Sequence, residues 1–491
     1  MPCRQRPAGG FVAVVTKQIE AGRALTDIYP ARFCTLCRKE DAMSKQRIQL
    51  SDHFTYSRLL RFVLPCIGTM LFTSIYGIVD GLCVSNFVGK TAFAAVNLIM
   101  PLPMLLGTIG FMLGTGGSAI VGITLGEGDQ KKADRYFTLF LLAALVSVSV
   151  LAVLGIVFLR PIAVLLGAKG ELLDYAVRYG RILMVSLPTF ALQNMFQSFF
   201  VTAEKPHLGF WFTVGAGCTN MVLDVLMVGV WGWGVEGAAI ATFISQLVGG
   251  VLPVFYFIDR SNSSRLHLCK TSFYSKVLRD ACINGSSELM TNLSMSLVNI
   301  LYNYQLLRLA GENGVAAYGV IMYAAFLFVA VFVGYAVGSA PIVSFHYGAR
   351  NHAEVHNLYR KSLRLIAVVA VTLTLASMFI IPCVARIFVG YDAELLALTS
   401  RAFRLYALSF LIMGFNVYAS SFFTALGDGV TSALISFLRT LVFQLAALLL
   451  LPALWGIDGI WLAVTAAELA ALAVSAAMLL TKDKVFHYRK A

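Results

Sequence analysis

The chain has 491 residues, of which 58% are hydrophobic and only 13% are charged. Soluble domains carry about 25% charged residues, and a single soluble core stops growing at roughly 250–300 residues, so an ordinary soluble protein is excluded. The formal net charge of +13 does not indicate nucleic-acid binding. The lysines and arginines lie in short segments between apolar runs, as the topology determinants of membrane proteins do.

The first 42 residues differ from the rest, because they are rich in basic residues and contain no long apolar run. We expect residues 1–43 to be a disordered or non-native extension, with Met43 as an alternative start. This segment contains one CxxC pair, Cys34 and Cys37. It has neither a second pair nor a nearby histidine, so we interpret it as incidental rather than as a metal site.

Twelve apolar runs follow, each long enough to cross a membrane, which takes about 20 mostly apolar residues. They lie near residues 59–83, 94–122, 136–159, 176–202, 207–231, 235–258, 277–307, 316–346, 362–385, 397–425, 431–452 and 456–480. A polar stretch separates the sixth run from the seventh. We therefore predict an N-terminal six-helix lobe at 44–258, a cytoplasmic linker at 259–275, a C-terminal six-helix lobe at 276–480 and a tail at 481–491.

The lysine and arginine distribution predicts the orientation of the chain. With residues 1–42 left out and the N-terminus inside, the inner segments hold 21 basic residues and the outer segments hold 9. Because cytoplasmic loops carry the excess of basic residues, both termini are predicted to be cytoplasmic. We expect a multi-pass protein of the cell membrane.

An internal repeat relates the two predicted lobes. A shift of 222 residues aligns 94–126 with 316–348 at 9 of 33 positions, and the same shift aligns 233–237 with 455–459. Six spans per half is an even number, so both halves face the same way about an axis along the membrane normal. The predicted fold class is an all-α integral membrane protein with two parallel six-helix repeats and a central cleft. A duplicated scaffold without transport is the alternative.

Two aspartates of the first half lie within predicted spans, where ionisable groups are costly and often functional. Asp80 lies in the first span and Asp224 in the fifth, with Asn220 one turn before Asp224 on the same face. These oxygen ligands suit a hard monovalent cation, and two carboxylates close together out of water could instead share a proton. The alternative is that each aspartate lies at a helix end among the headgroups.

The repeat places Tyr302 where the first half has Asp80, and Ala446 where it has Asp224. A group needed only for the fold would be expected in both halves. The difference therefore predicts a specialised cation site in the N-terminal lobe.

Polar residues of the second half have two interpretations. Glu288 lies early in the seventh span among polar neighbours, and both a structural and a functional role stay open for it. Arg439 in the eleventh span could pair with Glu468 in the twelfth, and we favour a structural role for that pair. The sequence has no HExxH, GxSxG or P-loop motif. We therefore predict no enzyme and no cofactor, with energy taken from an ion gradient or from the gradient of the solute.

Four blocks of sequence resemble one family in order along the chain. They are SIYGIVDGLCVSNFVG (74–89), GTGGSAIVGITLGEGDQKKA (114–133), NMVLD (220–224) and GVEGAAIAT (234–242). They are similar to the multidrug and toxic compound extrusion (MATE) family, and most of all to its bacterial DinF-like branch. The resemblance covers about residues 44–480. It implies export of organic cations, drugs or amphipathic metabolites in exchange for Na+ or H+, by alternating access of the two lobes.

The resemblance also implies which residues couple the cation. Matched position by position, the cation site would comprise Asp80, Asn220, Asp224, Thr242, Asn194 and Tyr179, and Tyr76 lies one turn before Asp80 on the same face. Sodium would be held by Asp80, Asn220, Asp224 and Thr242. Another branch has an acidic residue in the tenth span, where this chain has Asn416. Glu288 and Asn416 are therefore candidate polar residues of the substrate cavity or the C-terminal lobe.

Two other functions were weighed against an antiporter. A flippase for lipid-linked saccharides shares this architecture, but it needs a strongly cationic cavity, and the spans contain few basic residues apart from Arg439. A membrane enzyme with Asp80 and Asp224 as an acid–base pair would lack a nucleophile or a metal set. We expect a monomer in the lipid bilayer that binds a small amphipathic or cationic solute and no nucleic acid.

Overall fold

The computed structural model describes residues 48–87, 90–390 and 392–489. Within these ranges the ordered structure is helical and contains no strand, as the sequence predicts. The extension at 1–43, with its cysteine pair, lies outside the described residues. Contacts divide the chain into Met1–Gln49 and Leu50–Ala491, and every predicted span lies in the second unit.

Six spans form the N-terminal lobe, and we number them in chain order. They are span 1 (Tyr56–Phe87), span 2 (Lys90–Ile99 and Pro101–Gly126), span 3 (Gln130–Leu165), span 4 (Glu171–Thr202), span 5 (Pro206–Asp224, continued by Val225–Val230) and span 6 (Gly234–Gly250 and Leu252–Ile258).

Six further spans form the C-terminal lobe and end in a short helix, Asp483–Phe486. They are spans 7 and 8 (Ser275–Gly348), span 9 (His352–Val389), span 10 (Ala393–Ala407 and Phe410–Ala425), span 11 (Gly429–Phe437, Leu438–Val442 and Phe443–Trp455) and span 12 (Ile457–Thr481).

One helix of 74 residues contains spans 7 and 8. A straight helix of that length would be about 110 Å long, several times the hydrocarbon core of about 30 Å. The backbone of Gly311 divides it, because its φ of 62° and ψ of −151° are not helical. Gly311 therefore supplies the turn that the sequence predicts between 307 and 316.

Nine helices within the described ranges are long and apolar enough to cross a membrane, and the bent pair of span 10, with an angle of 46°, makes ten. Dividing the long helix at Gly311 gives eleven. Span 4 is the twelfth, and its first turns carry Glu171, Asp174, Arg178 and Arg181, which lower its mean hydropathy. The twelve predicted spans thus have twelve helical counterparts.

Span 2 is less regular than the sequence indicates. It is two helices, because Pro101 begins a new helix directly after Met100. Proline has no N–H to donate, but it is well suited to the first turn of a helix.

Glycines that the repeat shares lie where the two lobes cross. A Cβ on Gly126 of span 2 would lie 2.0 Å from the carbonyl oxygen of Phe345, and one on Gly348 of span 8 would lie 2.1 Å from that of Ile123. Only a residue without a side chain permits such a close approach. Because both halves require this close backbone approach, glycine occurs at both of the repeat-related positions, Gly126 and Gly348.

The chain before span 1 contacts both lobes near this crossing. The Leu50 N–H donates to Glu204 of the N-terminal lobe at 2.9 Å. The Phe54 N–H donates to Glu354 at the start of span 9, also at 2.9 Å, and His53 Nδ1 lies 2.5 Å from the same carboxylate. We call this end of the molecule, where residues near both ends of the described chain contact span 9, the terminal end.

The linker between the lobes is docked against span 3. Its backbone N–H groups at His267 and Cys269 donate to Asp134 and Thr138, each at 3.1 Å. Arg265 pairs with Glu204, and its guanidinium lies 4.9 Å from the ring centroid of Phe345 at the end of span 8. The linker thus joins the N-terminal lobe to the C-terminal lobe at the terminal end.

Candidate coupling site and solute cavity

A close helix crossing in the N-terminal lobe brings spans 1 and 5 together. Gly217 of span 5 faces the rings of Phe72 and Tyr76, and a Cβ there would lie 2.5 Å from Phe72. Tyr76 is one turn before Asp80 on span 1, while Gly217 is two turns before Asp224 on span 5. The crossing therefore brings the two aspartate-bearing stretches to one interface.

At this interface the carboxyl groups of Asp80 and Asp224 face each other within hydrogen-bonding reach. Asp224 is completely buried, and Asp80 is partly buried. In the described part of the chain, no N–H or O–H group donates to either oxygen of Asp224. Two ionised carboxylates can only accept, so this contact requires a proton on one of them or a cation between them.

Two predicted tyrosines lie beside the carboxylate pair. Tyr179 of span 4 is 2% exposed and interacts electrostatically with both Asp80 and Asp224, and Tyr76 does so with Asp80. The Nδ2 group of Asn220 is buried among the described residues without an acceptor. An unpaired buried amide beside two carboxylates marks a place where a further polar partner would be stabilised.

Thr242 of span 6 lies at the depth of this pair. Gly237 of span 6 packs on Met227 of span 5, and the two helices are antiparallel. Thr242 follows Gly237 by five residues, and Val222 precedes Met227 by five residues. Because the helices are antiparallel, Thr242 lies level with Val222, which is between Asn220 and Asp224.

Asn194 lies elsewhere, although the resemblance groups it with the coupling residues. It follows Tyr179 by 15 residues on the same helix, which is about 22 Å along the axis. Its neighbour Gln193 packs on Gly249, two turns beyond Thr242 toward the terminal end. Asn194 is buried there, and its Nδ2 has no acceptor within the described ranges.

π-helical turns interrupt the fifth and eleventh spans. The first, Val225–Val230, begins directly after Asp224, and the second, Leu438–Val442, contains Arg439. Such turns widen a helix and are frequent at functional sites. Each lobe therefore has a π-helical turn that contains or directly follows a buried charged residue.

In the C-terminal lobe Arg439 and Glu468 form a buried ion pair. The Arg439 Nε donates to Glu468 Oε1 at 2.8 Å, as the sequence indicates. The Asn416 Nδ2 donates to Glu468 Oε2 at 2.7 Å and to its carbonyl oxygen at 2.9 Å, and Ser475 donates to Asn416 at 2.9 Å. Asn416 is completely buried and holds Glu468 in place by these hydrogen bonds. It does not line the cavity, for which it was a candidate.

A cavity of about 330 Å³ lies in front of this network. Its ionisable lining groups include Glu288, Arg439 and Glu468, which together carry one net negative charge when ionised. The rings of Tyr302 and Tyr318 form one wall, stacked with their centroids 4.9 Å apart and their planes at 5°. Glu288 therefore lines this cavity, which is compatible with the functional role that the sequence leaves open for it.

The two halves of the repeat differ in side-chain size beside the cavity, which lies mainly in the second half. In the N-terminal lobe the rings of Phe72 and Tyr76 pack against Gly217, and their repeat partners are Ser294 and Val298. Two rings are thereby replaced by two small side chains, while Gly217 is replaced by Arg439. Of these replacements, Val298 and Arg439 both line the cavity.

Tyr318, Gln444 and Asn299 also line this cavity, and sequence reasoning did not single them out. The Tyr318 hydroxyl donates to Asn299 at 2.6 Å. These residues are ordinary for a membrane span. The loss of aromatic volume at Ser294 and Val298 relative to the first half was the sequence signal that could have identified them.

A family model provides independent evidence for the repeat. The MatE family matches residues 65–226 and matches again at residues 289–448, which together make up more than half of the chain. The two matches fall in corresponding parts of the two lobes.

Curated relatives match over nearly their whole length. The multidrug export protein MepA of Staphylococcus saprophyticus is 21% identical over 436 residues, which cover 88% of this chain and 95% of that protein. MepA of Staphylococcus aureus is 22% identical over 433 residues, with the same coverage. These names describe exporters, not enzymes.

Solved structures have the same fold. A crystal structure of MATE in complex with MaL6 matches with a TM-score of 0.84 and 22% identity, over 91% of this chain and 100% of that chain. A multidrug resistance MATE family transporter of the MOP superfamily in an outward-facing conformation matches with a TM-score of 0.82 and 23% identity, over 88% and 96%. The predicted fold of two six-helix lobes is thereby confirmed, and the chain belongs to the MatE family of membrane transport proteins.

Proposed function

We propose that this chain is a secondary active exporter of cationic or amphipathic solutes, driven by inward flow of Na+ or H+. The observation that carries the proposal is the carboxylate pair of Asp80 and Asp224, in which Asp224 is buried without a hydrogen-bond donor among the described residues. Binding of an ion satisfies this pair, and its release leaves two facing negative charges. The pair therefore has a different free energy in each state of the transport cycle.

Three further features support this proposal. The relatives named multidrug export protein match nearly the whole chain. Asn220 and Thr242 supply side-chain oxygens at the depth of the carboxylates, which suits sodium, while the carboxylates alone suffice for a proton. The cavity with its acidic Glu288 lies mainly in the other lobe and is lined by neither aspartate, so ion and solute would have separate sites.

Alternating access follows from the two-lobe architecture, in which one lobe rocks against the other. With 21 basic residues in the inner segments against 9 in the outer, we place both termini in the cytoplasm of a monomer in the cell membrane. The lobes touch at the terminal end through Gly126 and Gly348. On this orientation the structure corresponds to a state closed toward the cytoplasm.

The lipid-linked saccharide flippase is disfavoured by the cavity. A pyrophosphate needs a surplus of positive charge, and Arg439, the one guanidinium among the described residues of the cavity wall, is paired with Glu468 and accompanied by Glu288.

Efflux from proteoliposomes tests the proposed export function. We expect a sodium gradient or a pH gradient, imposed separately, to drive accumulation of an aromatic cation such as ethidium. Asp80→Asn and Asp224→Asn should each reduce gradient-driven transport to the level of protein-free vesicles. Glu236→Gln, an equivalent neutralisation at an exposed surface pair with Arg178, serves as the control and should leave it unchanged. Wild-type rates in both aspartate variants would contradict the assignment.

A further inference from the structure

Arg439 presents unpaired hydrogen-bond donors to the cavity. Only its Nε is occupied, by Glu468, and no described residue accepts from the two terminal nitrogens of the guanidinium. The side chain lines the cavity and is 14% exposed. A guanidinium fork held in this way matches the geometry of a carboxylate.

The guanidinium is held in position before a solute binds. Glu468 is 5% exposed and accepts from Arg439 on one oxygen and from Asn416 on the other. Ser475 in turn orients Asn416. Such preorganisation lowers the entropy that is lost when the free N–H groups bind an acceptor.

Glu288 supplies the opposite charge in the same cavity. No described donor reaches its carboxylate, and no ion pair of 4.0 Å or less joins it to Arg439, although the two interact electrostatically. The stacked rings of Tyr302 and Tyr318 form a flat aromatic wall of the same cavity. The cavity thus offers a cation-binding group, an anion-binding group and an aromatic surface.

We propose that this cavity prefers aromatic zwitterions, with the solute's carboxylate bound by the terminal N–H groups of Arg439 and its cationic group bound by Glu288. The inference rests on the proposed export function and specifies its solute class. A simple cation would satisfy Glu288 but leave the donors of Arg439 unpaired, which costs free energy in a buried site.

A matched pair of dyes tests this preference. Rhodamine B carries a cationic aromatic frame and a carboxylate, and its ethyl ester keeps the cation but has no carboxylate. Binding to the purified chain is measured by fluorescence polarisation. Because hydrogen bonds to charged groups are the stronger ones, we expect the wild type to bind rhodamine B about tenfold more tightly than the ester.

Substitutions test which residue binds the carboxylate of the dye and which binds its cationic group. Arg439→Gln with Glu468→Gln removes both partners together and leaves no unpaired buried charge, and we expect it to bind both dyes equally. Glu288→Gln should weaken both dyes while preserving their ratio. Arg178→Gln with Glu236→Gln, at an exposed pair, is the matched control and should behave as the wild type.

Equal binding of both dyes by the wild type would overturn the proposal, and so would a preference for rhodamine B that survives the Arg439 and Glu468 substitutions. The same holds if neither dye binds. Equilibrium binding needs no ion gradient, so its outcome is separate from the efflux assay. If the chain binds rhodamine B selectively but shows no efflux, only the export function is contradicted. If the chain shows efflux but binds both dyes equally, only this solute class is contradicted.

Discussion

The two lobes differ in how their buried charged residues are compensated by neighbouring groups. Arg439 and Glu468 neutralise each other, and Asn416 satisfies the remaining carboxylate oxygen. Asp80 and Asp224 have like charges that face each other, and no described residue donates to Asp224. The first arrangement balances its charge within the protein and leaves only the terminal nitrogens of Arg439 free, whereas two ionised carboxylates in the second would repel each other.

This difference predicts how the C-terminal network responds to substitution. Removing one partner of a buried ion pair leaves an unpaired charge and costs about 3–5 kcal/mol, whereas removing both partners costs much less. We therefore expect Arg439→Gln alone to lower the unfolding temperature in detergent more than Arg439→Gln with Glu468→Gln. The exposed pair Arg178 and Glu236 should change stability by about 0–1 kcal/mol when both are neutralised. A double variant less stable than the single one would refute the idea that the pair is mutually neutralising.

Some of these residues could be predicted from the sequence, but their contacts could not. Sequence reasoning identified Asp80, Asp224 and Glu288 because ionisable groups are rare in apolar runs. It could not show that the two aspartates touch, since they are far apart in the chain and only the crossing at Gly217 joins them. It also grouped Asn194 with them, although helix rise places Asn194 about 22 Å along span 4 from Tyr179.

At the scale of helices, the apolar runs predicted the number and order of spans, while their breaks depended on single residues. Pro101 divides span 2, and Gly311 separates spans 7 and 8. The break at Pro101 is not visible as a loss of hydrophobicity, because the apolar composition continues across it, whereas Gly311 lies in a polar stretch that the sequence predicts as a turn. The π-helical turn after Asp224 likewise leaves no mark in composition.

The crossing of spans 2 and 8 should respond to an added methyl group. A Cβ on Gly348 would lie 2.1 Å from the carbonyl oxygen of Ile123, so Gly348→Ala should push the lobes apart at the terminal end. Cys66 is 4% exposed and packs on Gly338 of span 8. We expect N-ethylmaleimide to label Cys66 severalfold faster in Gly348→Ala than in the wild type, as quantified by peptide mass spectrometry.

Two internal comparisons accompany this measurement. Gly319→Ala adds the same methyl group to the same long helix at a position with nothing within 4 Å, and it should leave the labelling unchanged. Cys218 is exposed and provides a reference rate. Equal protection of Cys66 in both variants would show that the glycine crossing does not hold the lobes together.

For the whole molecule, duplication provides one scaffold with two different uses. The repeat preserves the glycines at the lobe crossing, Gly126 and Gly348, because both halves meet there. It does not preserve Asp80, whose partner Tyr302 lines the cavity instead. One lobe thus carries the facing carboxylates, and the other supplies most of the residues that line the cavity. The linker and the segment before span 1 join both lobes at the terminal end.

Ion movement driven by a solute gradient tests the coupling role of Asp80 and Asp224 most directly. In proteoliposomes loaded with an aromatic cation such as ethidium, we would record solute exit together with uptake of ²²Na+ and the change in internal pH. The wild type should take up one of these ions in a fixed ratio to the solute that leaves. In Asp80→Asn and Asp224→Asn, any solute that still moves should do so without the ion. Ion uptake at the wild-type ratio in both variants would contradict the account.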